Sequence, residues 1–293
     1  MNHSSQLRAE LILVLVTIIA AFGWIFSKEA LAGMPPLFFM GVRFLVAGFV
    51  LLLVGVRYFH HLKWRDIKGA ILMGAVFGLA MMAWIKGLDE ATNLGVGAFI
   101  NSLGVILVPV LARFLFAERP SKNIWVALPV AVVGLGFLAL SNGIALEWGQ
   151  VYFFIAALLF ALQFNLLTRM SSRLPVLVLT TIQLLTAGVL HLSVSPLIET
   201  IPHAISTPIL GWFLASALIA TSLRFLLQTY GQSLTPASHA AVIMNLEPVW
   251  TALAAAIWFG EQMSTMQMIG CSLIFVAMLV SKWSHIQAFV RRR

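Results

Sequence analysis

Apolar stretches recur along the whole chain, separated by short polar or basic segments. A helix rises about 1.5 Å per residue, so a stretch of about 20 residues crosses a hydrocarbon core about 30 Å thick. The pattern predicts ten membrane-spanning helices near residues 8–28, 35–56, 67–87, 92–117, 123–141, 148–168, 175–195, 206–230, 236–260 and 264–284. The shorter segments of alternating polarity that a membrane β-barrel needs are missing. The connections are short, so consecutive helices should be antiparallel neighbours, with no soluble domain inserted.

Composition strengthens this pattern. Of 293 residues, 61% are hydrophobic and only 10% are charged, too few to cover a soluble domain of this length. The net charge of +8 raises the question of nucleic acid. Its distribution argues instead for topology and against a nucleic-acid partner. Fourteen basic residues collect on one side of the predicted membrane: Arg8, Arg57, Lys63, Arg65, Lys68, Arg113, Arg119, Lys122, Arg169, Arg173, Lys282 and Arg291 to Arg293. The other side holds only Lys28 and Lys86, with Glu29, Asp89, Glu90, Glu147, Glu199 and Glu261. The positive-inside rule then places both termini in the cytoplasm, in a multi-pass protein of the cell (inner) membrane. The first apolar stretch is read as a retained span, because Glu10 and Trp24 fit a cleavable signal poorly. The single cysteine, Cys271, lies within an apolar run, so no internal disulfide can form, and no metal-ligand spacing is present.

The two halves of the chain resemble each other. TNLGVGAFINSLGVILVPVLARFLFAE (92–118) aligns without gaps on TPASHAAVIMNLEPVWTALAAAIWFGE (235–261). RFLVAG (43–48) matches QLLTAG (183–188) further upstream. Each half, 1–142 and 143–293, holds five predicted spans, and an odd number sets the copies in opposite orientations. The expected fold is an all-α polytopic membrane protein, its ten helices forming two inverted five-helix repeats around a central cavity. Such repeats place a substrate site near the midplane, at the repeat interface.

With GWIFSK (23–28), RFLVAG (43–48), LEPVWTALAAAIWFGE (246–261) and IGCSLIFVAMLV (269–280), the chain resembles the EamA-type family of the drug/metabolite transporter superfamily over its whole length. That resemblance implies movement of small metabolites, often amino acids and usually outward. The first half departs from the leucine-acid-proline step: it has LGV (103–105), with Pro109 further on.

Three charged residues fall inside predicted spans: Arg43, Arg224 and Glu247. Each costs about 2.5–3.5 kcal/mol on insertion scales. The repeat puts Gln183, Met81 and Gly104 at their counterparts, so none of the three charges is duplicated. Helix geometry places Glu247 near mid-span, Arg224 nearer the cytoplasm and Arg43 nearer the outside. Glu247 would titrate with protons or anchor a substrate amine, while Arg224 or Arg43 would hold a carboxylate in bidentate fashion. The competing reading is that Glu247 pairs with one arginine and only holds helices together. Pro248 follows Glu247 at once and predicts a helix kink there, since it has no N–H for the Met244 carbonyl. Glu247 and Met244 share a face with Ala240 and Thr251, whereas Asn245 points about 160° away.

Further cavity candidates are Trp24, Trp84, Gln228, Gln163 and Asn101, with Gln183, Asn165 and Asn245 as other buried amides. For every amide, hydrogen bonding between helices is the common alternative. Lys28 and Lys86 sit at outer span ends and should snorkel. GAVFG (74–78) is a small-residue contact suited to close packing or a weak homodimer. His60 and His61 fall in a basic loop, and His239 near an inner span end.

A secondary transporter working by alternating access fits this pattern best, with export of amino acids or similar zwitterions as the expected activity. The expected partners are a small-molecule substrate, the lipid bilayer and coupling protons, in a monomer or weak homodimer with no cofactor. Efflux of amphipathic cations is the alternative within transport. The spans carry no HExxH, no GxSxG with a histidine and no paired aspartates, which argues against an intramembrane enzyme. Without rings of like charge, a channel is also disfavoured.

Overall fold

The computed structural model describes residues 3–59, 64–117, 122–140, 147–170, 174–201, 204–233, 243, 244, 246–281 and 283. His60, His61, His239 and Asn245 lie outside the described residues. Helices account for nearly everything described. They are α1 (His3–Leu31), α2 (Pro36–Gly55), α3 (Trp64–Glu90), α4 (Leu94–Ser102), α5 (Gly104–Phe116), α6 (Lys122–Leu140), α7 (Trp148–Met170) and α8 (Val176–Ile198). Then come α9 (Thr207–Leu214), a π-helical segment (Ala215–Leu223), α10 (Arg224–Ser233), α11 (Glu247–Phe259) and α12 (Thr265–Ser281).

Seven segments among the described residues are long and apolar enough to cross a bilayer, and the apolar helices Lys122–Leu138 and Thr265–Val280 are shorter. The predicted fourth span is α4 with α5, the eighth is α9 to α10, and the ninth lies partly outside the described residues. Large apolar side chains face outward, with Leu53, Leu197 and Ile257 at least three-quarters exposed. That is the surface expected against lipid.

The packing is two-fold in its logic. Helix α2 packs on α8, α4 on α11, and α6 on α12, each joining equivalent spans of the two halves. Helix α3 packs on α7 and α8, as the π segment packs on α1 and α2. Glycines set the closeness of these crossings. A Cβ at Gly48 would lie 2.7 Å from Leu185 Cδ2, and one at Gly188 would lie 2.9 Å from Leu45 Cδ2. Gly48 and Gly188, and Leu45 and Leu185, are paired by the RFLVAG/QLLTAG match. The GAVFG run also works within the chain: a Cβ at Gly74 or Gly78 would crowd Thr186 or Leu190 of α8. That face is therefore occupied by an intramolecular contact rather than offered to a second copy.

The helix around Pro248 is broken rather than kinked. Leu246 is a turn residue, and Pro248 lies in the first turn of α11, where a missing N–H has no intrahelical partner to lose. The first half breaks at the matching residue without a proline. Leu103 N–H donates to Ile100 O, and Leu103 O accepts from Ile106 and Leu107. Likewise Leu246 N–H donates to Ile243 O, and Leu246 O accepts from Val249 and Trp250. The break thus belongs to both halves, whereas the acid-proline step belongs to one. The correspondence continues to the far ends, where Ala117 (φ 55°) and Gly260 (φ 65°) close α5 and α11 in the left-handed conformation.

Candidate functional site

Glu247 is the first residue of α11, and the partial positive charge of a helix N-terminus favours its carboxylate. Arg224 opens α10 directly after the π segment. Its Nη2 donates to Glu247 Oε2 at 3.2 Å, forming an ion pair. Trp24 of α1 donates from Nε1 to Glu247 Oε1 at 3.3 Å. One carboxylate therefore ties three helices together. The pair is not sealed: the Arg224 and Glu247 side chains keep 23% and 22% of their accessibility.

Aromatic rings form the wall beside it. Trp24 meets Trp84 of α3 edge-on at 4.9 Å between centroids and Phe153 of α7 at 5.4 Å. Polar atoms on α4, α10 and α11 lack partners among the described residues. Arg224 Nε, Gln228 Oε1, Asn101 Oδ1 and Trp250 Nε1 are all buried without a hydrogen bond among the described residues. Buried polar atoms are nearly always satisfied, so such a group marks where water or a ligand belongs. Gln228 lies one turn beyond Arg224 on α10, and Asn101 lies two residues before the break at Leu103.

Arg43 of α2 sits beside this site. It is 7% exposed. Its Nε donates to Thr221 Oγ1 at 2.6 Å, and its Nη1 donates to Ser27 Oγ at 2.9 Å. The Phe39 and Phe44 rings lie 5.7 and 5.9 Å from its guanidinium carbon. Counting residues along straight spans separated Arg43 from Arg224. The bond to Thr221 nevertheless sets Arg43 against the π segment, three residues before Arg224.

Gln163 joins a different cluster. Its Nε2 donates to Gln183 Oε1 at 3.0 Å, linking α7 to α8 in a buried amide pair. Gln183 is the counterpart of Arg43, so the second half carries a neutral amide pair where the first carries a buried cation. Asn165 caps backbone carbonyls at Val108 and Ala161.

Lys28 corrects the expectation of snorkelling. Its Nζ donates to the carbonyls of Leu88 at 2.7 Å and Asp89 at 3.1 Å, closing the C-terminal end of α3. Lys86 lies 3.9 Å from Asp89. On the same side Glu261 Oε2 accepts from Leu94 N–H at the start of α4, and Glu29 accepts from Trp258 Nε1. These contacts bind one end of each of α1, α3, α4 and α11 together.

Sequence reasoning missed Ser27, Thr221, Phe153 and the π segment. Within that segment Thr221 and Ser222 donate to carbonyls five residues back, at Ser216 and Ala217. The wider turn carries Thr221 to Arg43 and starts α10 at Arg224. The run ASALIATSL gives no periodic signal for a π-helix; its small and hydroxyl residues are the only hint.

Comparison with known proteins follows the same two-part division. The family model for EamA-like transporters matches residues 7–140 and again 147–283. An uncharacterised transporter of Archaeoglobus fulgidus is 28% identical over 94% of this chain and 86% of its own length. The uncharacterised transporter YoaV of Bacillus subtilis is 21% identical over 96% of this chain and 97% of its own. A solved crystal structure, 18% identical, superposes with a TM-score of 0.63 over 94% of this chain and 97% of its own, which shows a shared fold.

Proposed function

The chain belongs to the EamA-like transporter family, and from that premise we propose that it exports amino acids or similar zwitterionic metabolites across the cytoplasmic membrane. The cycle is alternating access around the Arg224–Glu247 pair, with both termini cytoplasmic. The observation that carries this reading is the shared carboxylate of Glu247, held by Arg224 and Trp24 at a broken helix and still partly accessible. A substrate ammonium would compete with Arg224 for Glu247. The released guanidinium would then take the substrate carboxylate, its Nε having no hydrogen-bond partner among the described residues. Ligand and internal pair exchange partners, so neither charge is stranded in the low-dielectric interior. A proton on Glu247 would release Arg224 in the same way and couple transport to a proton gradient.

Glu247→Gln keeps the shape and removes the charge. In proteoliposomes loaded with amino acids, this variant should lose at least about tenfold of flux and all dependence on an imposed pH gradient. Unchanged flux at every pH, from a protein of normal thermal stability, would overturn the proposal. The aromatic wall of Trp24, Trp84 and Phe153 favours a second reading, efflux of amphipathic cations. In that reading the cation takes Glu247 and Arg224 is only displaced.

A further inference from the structure

The polar groups of the site do not balance in charge. Arg43 and Arg224 bring two guanidiniums, and an arginine keeps its charge even when buried. Glu247 is the carboxylate of the site, and Arg224 already holds it. Arg43 makes no ion pair among the described residues; it bonds Ser27, three residues after Trp24, and Thr221, three residues before Arg224. Hydroxyls from Ser27 and Thr221 and the faces of Phe39 and Phe44 solvate the Arg43 guanidinium without neutralising it. A structural arginine in a membrane protein is ordinarily paired, because a lone cation in low dielectric is costly. The equivalent place in the other half shows that the fold itself does not require a cation: Gln183 there pairs neutrally with Gln163.

From this imbalance we infer that the site takes a ligand with one net negative charge, its carboxylate seated between Arg43 and the Arg224 Nε, which has no partner among the described residues. This rests on the alternating-access transport reading above and moves its substrate from a neutral zwitterion to a net anion of the same amino-acid kind. A simple zwitterion leaves the Arg43 charge uncompensated, and a cation adds to it. A net monoanion closes the balance: an N-acylated amino acid, or an acidic amino acid whose ammonium meets Glu247 and whose two carboxylates meet the two arginines. The rings of Trp24, Trp84 and Phe153 pack together beside Glu247 and favour an apolar portion on the same ligand. Arg43 also bonds α1 and the π segment through Ser27 and Thr221, so an anion that draws on its guanidinium would pull on both.

The test uses one scaffold in three charge states: phenylalanine methyl ester, phenylalanine and N-acetylphenylalanine. Binding to the purified full-length protein is measured by ligand-induced thermal shift, and flux of each radiolabelled compound in proteoliposomes. The N-acetyl compound should bind at least about tenfold tighter than phenylalanine, and the ester weakest. Arg43→Gln should abolish the preference for the anion over the zwitterion, whereas Arg43→Lys, which keeps the charge, should retain most of it. A role confined to holding helices together would lower stability in both variants without changing that ratio. Failure of the N-acetyl compound to bind overturns the inference, as does an Arg43→Gln protein with the wild-type ratio. If the ester or phenylalanine is transported in a Glu247-dependent manner while the N-acetyl compound is not, the charge inference fails and the transporter reading stands. If none of the three binds or crosses the membrane, both readings are overturned.

Discussion

Two stretches that align in sequence, 92–118 and 235–261, share a break within the membrane, and only the second carries a charge beside it. Both copies break at a leucine, Leu103 or Leu246, with the same hydrogen-bond pattern around it. Both end in a left-handed residue, Ala117 or Gly260. Beyond the break they diverge. At Gly104 the backbone of α7 comes so near that a Cβ would lie 3.1 Å from Ala157 O. At Glu247 there is instead room for a side chain that reaches Trp24 and Arg224. One copy is sealed by close packing and the other opened by a charged side chain. The repeat supplies the joint in the helix, and each half's packing decides whether chemistry can occupy it.

The sharpest way to break this comparison is to move the acid. Gly104→Glu should cost about 1–3 kcal/mol through overpacking against α7, seen as a lower thermal midpoint in detergent, with no gain in transport. A variant as stable as the parent would show that the first half is not sealed. Next come the left-handed ends. Gly260→Ala should cost about 1 kcal/mol, and Ala117→Gly should stabilise by less than about 1 kcal/mol, because the two sites share one backbone conformation. Equal effects of the same sign would contradict that equivalence.

Pro248→Ala should be milder, losing about 0.4–1 kcal/mol from greater freedom of the unfolded chain. Hydrogen exchange at 246–250 should stay as in the parent, because Leu103 breaks its helix without a proline. Loss of transport as deep as that of Glu247→Gln would instead make the proline, and not the repeat, responsible for the joint.

The smallest effect concerns Glu261. Burial raises its carboxyl above the usual range, against the opposing pull of the Leu94 and Gly95 amides and of Lys28. The folded protein therefore holds this proton more tightly than the unfolded chain. Its contribution to stability is greatest below the ordinary carboxyl value and falls as pH rises through the raised one. Glu261→Gln keeps an acceptor for Leu94 N–H and should flatten that part of the stability-against-pH curve. A curve of unchanged slope would remove Glu261 as the titrating group.

Much of this was legible in the residues. The spans follow from apolar run length, the repeat from the gapless match of 92–118 on 235–261, and the choice of Glu247, Arg224 and Arg43 from the cost of charge in lipid. What was not legible depended on approach between distant helices. The sequence marks Pro248 as a helix breaker, yet Leu103 carries no such mark and breaks as well. Lys28 reads as a lysine near a span end, and only the position of α3 turns it into a cap. Gln163 reads as a cavity amide until α8 brings Gln183 to it.

The sequence by itself determined that the chain is a membrane-spanning helical repeat and which few side chains are too polar to sit there idly. Run length, period and charge are local properties, and the bilayer acts on them directly. The tertiary structure decided the partners: Glu247 with Arg224 and Trp24, and Arg43 with Ser27 and Thr221 and, among the described residues, no carboxylate. Pairing depends on helix rotation and on one π-helical turn. A change of one residue per turn re-aims a side chain, and that leaves almost no trace in the order of amino acids.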